Sequence, residues 1–197
     1  MMKKKSNFFN RNFIESLNYI KESRVYIYFI ILIFITALAV GLFFNPPSSM
    51  AEFLRELMKS LVDKTSGLNT GQLIIYIFWN NSLASFFGII FGVIFGIFPL
   101  IATLFNGYLV GYVSKIAISN LGVSSLWRLV PHGIFELPAL IISFAMGLKI
   151  GMTLFKKNST KEFFRRFILS LKVFFFVVLP LLIIAAIIEG ILIGFAG

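Results

Sequence analysis

Residues 72–114 hold no Asp, Glu, Lys or Arg. As one helix the stretch would be about 65 Å long at ~1.5 Å per residue, about twice the ~30 Å hydrocarbon thickness of a bilayer. It is therefore read as two membrane crossings joined by a tight turn. Pro99 is the expected turn, with spans over 74–98 and 100–118, and Asn106-Gly107 is the alternative turn signal.

Other blocks repeat the pattern. Val25–Phe44 is uncharged and long enough to span a bilayer. Asn45-Pro46-Pro47 should end it, because proline cannot continue a helix and biases its predecessor away from the helical region. Asn45-Pro46-Pro47 is also a poor cleavage site for a signal peptide, so the block reads as a retained helix. A fourth span should start at Pro131, a residue suited to the first helical position, and run to about Met152. Residues 119–130, with Asn120-Leu121-Gly122, are expected to be the short loop before it. A fifth span over Ile168–Ala196 should kink at Pro180. Composition agrees. Hydrophobic residues make up 58% and charged residues 13%, against about 45–50% and about 25% in soluble domains. The fold class is all-α: a polytopic integral membrane bundle of about five transmembrane helices plus amphipathic surface helices.

Two segments have helical periodicity without the length or hydropathy of a span. In residues 1–24, Phe8, Phe9, Phe13, Ile14, Leu17 and Ile20 alternate with basic residues, as in a helix on the membrane surface. After Ser48 and Ser49, good N-cap residues, Met50, Phe53, Leu54, Leu57, Met58, Leu61 and Val62 share one face. Glu52, Arg55, Glu56, Lys59 and Asp63 fill the other. Ser66-Gly67 and Asn69-Thr70-Gly71 should form the loop that follows. The chain thus divides into a basic amphipathic segment at 1–24 and a single transmembrane domain at 25–197 with an amphipathic helix at 49–64.

Six basic residues precede the first span, and Lys156, Lys157, Lys161, Arg165 and Arg166 form an expected basic loop between spans four and five. Basic loops stay cytoplasmic. This places the N-terminus inside, the 49–64 helix and the C-terminus outside, and the protein in the cell membrane. The net charge of +10 is explained by these flanks, so nucleic acid is not an expected partner. The expected partners are the lipid bilayer and other membrane or envelope proteins, with a homo-oligomer as an option.

Glycines recur four apart: Gly88, Gly92 and Gly96; Gly107 and Gly111; Gly147 and Gly151; Gly190 and Gly194. Small residues at this spacing let helix backbones approach closely in lipid. They serve packing within one bundle, or self-association. Polar residues interrupt the apolar blocks at Asn80, Asn81, Asn106, His132, Glu136 and Glu189. Ionisable groups in a membrane are costly, so function is the default reading. His132 and Glu136 share a helical face, which Ala139, Ser143 and Gly147 continue. A structural polar cluster pinning helix four to helix two is the competing reading. One His and one Glu do not make a metal site. With no cysteine and no hydrolase, zincin or phosphate-loop motif, neither an enzyme nor a cofactor is expected.

Asn80-Asn81 before the glycine-rich 87–96 segment, then Asn106-Gly107, then Pro131-His132-Gly133-Ile134-Phe135-Glu136-Leu137-Pro138-Ala139 resemble the stage II sporulation protein M family. The matching residues are Asn81, Asn106, Gly107, Pro131, His132, Gly133, Glu136 and Pro138. The likeness covers about 72–155. It implies a non-enzymatic membrane scaffold that recruits partner proteins, in endospore formers cell-wall hydrolases. The alternative is a small transporter or channel with a polar site around His132 and Glu136.

Overall fold

The computed structural model describes residues 7–128, 130–155 and 159–196, without the side chains of 127, 128, 130–132, 159 and 194–196. The described residues are helical, with no strand among them. Helix α1 is Phe8–Glu22, α2 Arg24–Phe43, α3 Ser48–Thr65, α4 Thr70–Ile90 and α5 Ile97–Leu121. Then come α6, Val130–Gly151, α7, Ser159–Val173, and α8, Leu179–Ala196. Five segments are long and apolar enough to cross a membrane: Arg24–Phe43, Thr70–Val93, Ile97–Leu121, Gly133–Gly151 and Thr160–Ile193.

Several expected boundaries move. The turn in the long uncharged stretch falls at Ile94–Gly96, not at Pro99 or Asn106-Gly107. Phe95 and Gly96 take positive φ of 51° and 72°, a conformation glycine adopts at little cost. Pro99 sits in the first turn of α5, where its missing N–H costs no helical bond. The helix also continues unbroken through Asn106-Gly107. Asn69 caps α4 through a reciprocal capping box with Gln72, so Asn69-Thr70-Gly71 starts a helix. Pro47, not Ser48 or Ser49, occupies the N-cap position of α3. The loop after Gly122 contains a 3-10 helix, Val123–Arg128.

The basic segment expected as a loop is largely helix α7. Phe163, Phe167 and Ser170 recur on one face, and Glu162 bridges Arg165 and Arg166 one turn on. Lys156 and Lys157 lie outside the described residues. Between α7 and α8 the backbone widens into a π turn, Phe174–Val178. Pro180 follows it: its ring would clash with the carbonyl of Phe176 in a regular helix, and the π turn carries the irregularity expected at the proline.

The glycine rows meet inside the chain. A Cβ on Gly92 would overlap the Gly147 backbone, one on Gly151 the Gly92 and Gly96 backbone, and one on Gly147 the Gly88 carbonyl. This seam joins α4 and its C-terminal turn to α6. Gly107 and Gly111 of α5 lie against the α2 backbone at Phe34 and Leu38, and Gly41 of α2 against Tyr108 and Tyr112. Gly190 meets Ile74 on α4. The core runs along α6, where Ala139, Phe144, Ala145, Met146 and Ile150 are buried together with Ile30, Ile89, Val178 and Leu182.

Candidate functional site: a polar cavity and an ionic lock at opposite ends

Four of the five transmembrane segments turn a polar residue toward one space. Asn80 and Asn81 of α4, Asn106 of α5, Glu136 of α6 and Glu189 of α8 line a cavity of about 370 Å³. Leu61, Val62 and Thr65 of α3 form part of its wall, beside Tyr76, Leu73 and Ile77. The helix faces explain the convergence. Asn81, Ser85 and Gly88 are buried on one face of α4. Glu136 is 7% exposed and tops the buried Ala139–Ser143–Gly147 row of α6. The two stripes meet at the glycine seam, so Asn81, about two turns from Gly88, and Glu136, about three turns from Gly147, are brought together. The Asn106 amide donates to the Ala102 carbonyl at 2.8 Å, and the residue lines the cavity.

The other motif residues do not join them. Gly107 faces α2. Gly133 is partly buried against Leu137, and Pro138 is exposed on the outer side of α6. Pro131 and His132 are in the first turn of α6, but their side chains lie outside the described residues. The same holds for the contact expected between His132 and Glu136. Among the described residues no three His, Cys, Asp or Glu side chains group as metal ligands.

The opposite end of the bundle holds a network that sequence reading missed. Lys149, within the fourth span, is 2% exposed. Its ammonium donates to Glu22 Oε1 at 3.0 Å and to Ser23 Oγ at 2.9 Å, and lies 3.9 Å from the centre of the Tyr19 ring. Arg165 reaches the same Glu22 oxygen at 3.1 Å. Arg166 donates to the Lys149 carbonyl at 2.9 Å and so satisfies the C-terminal end of α6. Lys172 pairs with Glu15 at 2.5 Å. Burial pushes the Tyr19 hydroxyl up to about 12. Burial also tends to raise Glu22, but hydrogen bonds from Lys149 and Arg165 outweigh it and hold the carboxyl below its ordinary value. The Lys172 hydrogen bond lowers Glu15.

The network shows how α1 is oriented. Its inward stripe is polar: Asn12, Ser16 and Tyr19 are buried. Phe8, Phe9, Ile14 and Leu17 are exposed, which suits a helix whose apolar side meets lipid. Lys149 itself was the available signal, as a lone charge inside an apolar block.

No match was found among curated proteins or among solved structures. The sequence does match the family described as stage II sporulation protein M over residues 26–192, which takes in the three middle spans whole, nearly all of the first and the last, and every cavity residue named above. The chain is a membrane protein and belongs to the stage II sporulation protein M family.

Proposed function

We propose that this protein is a non-enzymatic membrane scaffold that recruits partner proteins of the cell envelope, with its N-terminus in the cytoplasm and its C-terminus outside. The observation that carries the reading is the shape of the polar site. The cavity occupies one end of the bundle and is walled by α3, whose Glu52, Arg55, Glu56, Lys59 and Asp63 are all exposed. Toward the other end the α4–α6 glycine seam brings backbone against backbone, and the Lys149 network follows it. A one-ended pocket beside a charged, exposed helix suits docking better than conduction. In endospore formers the partners would be cell-wall hydrolases. The test is site-specific photo-crosslinking from Arg55, Lys59 and Asp63 in native cells. One or a few discrete envelope-protein adducts are expected at these positions and none from Leu32, on the exposed side of α2. Identical adduct patterns from α3 and Leu32 would sink the reading.

The carboxylate-lined cavity is the one observation that favours the second reading, a small transporter or channel. Purified protein in liposomes should show no cation flux above empty vesicles. Saturable flux abolished by Glu136→Gln would replace the scaffold reading.

A further inference from the structure

The cavity wall is rich in acceptors. Glu136 and Glu189 bring two carboxyl groups to it, each an acceptor of hydrogen bonds. Asn106 donates one of its two amide hydrogens to the Ala102 carbonyl, and its side-chain oxygen is a further acceptor on a lining residue. No Lys or Arg is present among the described residues of the lining. Both glutamates are engaged within the protein, so an arriving group joins a network already in place. A volume of about 370 Å³ falls in the range of small-molecule sites, about 300–1,000 Å³. Apolar Leu73, Ile77 and Val110 complete the wall, matching the hydrocarbon stem of a cationic side chain.

Access falls to α3. Leu54 is its only buried residue. It is joined to the spans by Asn45-Pro46-Pro47 on one side and by Gly67, at φ 83°, on the other. Elements with so little buried apolar surface open at low free-energy cost, whereas α1 at the other end is held by ion pairs. Leu61 and Val62 sit at the cavity with their outer surfaces exposed, so lifting α3 opens the site without disturbing the glycine seam.

We infer that the cavity is a receptor for a cationic side chain, a guanidinium or alkylammonium group carried by the recruited partner, and that α3 is the lid that admits it. The inference rests on the scaffold reading for the source of the group but not for its chemistry. The test uses the full chain in lipid nanodiscs at constant ionic strength and neutral pH. Ethylguanidinium is titrated against its neutral isostere ethylurea, with melting temperature as the readout. A saturable rise with ethylguanidinium and none with ethylurea is expected. Glu136→Gln should weaken it about tenfold, the loss expected when a charge-assisted hydrogen bond becomes a neutral one. Glu52→Gln, on the exposed face of α3, should leave it unchanged.

Asn80→Lys supplies a tethered cation at the rim and should abolish the response in a folded protein. It decides the matter if Glu136→Gln fails to fold. Equal responses to both compounds, or a full response in Asn80→Lys, would overturn the inference. Crosslinking from α3 that persists when ethylguanidinium does not bind removes the receptor and leaves the scaffold. Binding without crosslinking does the reverse.

Discussion

Lys149 is fully buried, while its partner Glu22 is 46% exposed, and the two ends of that pair should respond unequally to mutation. Lys149→Met keeps the volume and removes the charge, which is often close to neutral for a buried pair. Glu22→Ala leaves the ammonium buried with only the Ser23 hydroxyl and the Tyr19 ring. Breaking a buried pair from one side costs ~3–5 kcal/mol, reduced here to ~1–3 kcal/mol because solvent screens Glu22. Glu22→Ala should therefore lower the melting temperature in nanodiscs more than Lys149→Met, and the reverse order would show that the lock does not hold the fold. Gly92 makes a different case. A side chain there meets the Gly147 backbone, which has no rotamer to yield. Overpacking costs ~1–3 kcal/mol at adaptable sites, so Gly92→Leu should reach or exceed the top of that range. Leu32→Phe, on the exposed face of α2, should leave the melting temperature unchanged.

The two amphipathic helices differ in what binds them, and a fall in pH should separate them. α1 is held through Glu15 and Glu22, whose carboxyls are depressed below their ordinary value of 4.5. A depressed carboxyl contributes its docking free energy above about pH 4.5 and loses it as pH falls through the docked-state value. α3 has no ion pair to the spans among its described contacts. Hydrogen exchange, corrected for intrinsic rate, should show 8–22 protected from pH 7 to 5 and increasingly open below about 4.5. Residues 48–65 should exchange readily throughout. Protection of 8–22 that does not change down to pH 3 would mean apolar packing, not charge, docks α1. The same elements show what could be read in advance. Spans were legible because a bilayer demands length and hydropathy that nothing else in the chain imitates. α1 and α3 were legible from periodicity. Which face each presents was not, since burial of the Asn12–Ser16–Tyr19 stripe depends on Arg166, Lys149 and Lys172 far along the chain. The turn at Ile94–Gly96 was missed because proline is read as a breaker, whereas here Gly96 turns the chain and Pro99 starts the next helix. The asparagines and Glu136 were legible as costly polar groups. Their meeting in one cavity required the tertiary seam.

At the scale of the whole molecule, the contacts between α1 and the α6–α7 region place the N-terminal flank and the connection between spans four and five at one end of the bundle. The cavity and α3 lie at the other. Five spans demand this arrangement, because the chain crosses once after α1 and four times in all before α7. Charge is the basis of the proposed orientation. Basic residues crowd the α1–α7 end, and loops rich in Lys and Arg remain cytoplasmic. The chain has no cysteine, so single cysteines report without background. Introduced at Lys21 and Lys161, both exposed, they should react with an impermeant maleimide only after the membrane is opened. At Ser66 and Asn120, also exposed, they should react in intact cells. Reaction of all four from the same side would break the five-span count. A reversed but internally consistent pattern would keep the count and invert the protein, putting the acceptor-lined cavity in the cytoplasm and moving the search for its partner there with it.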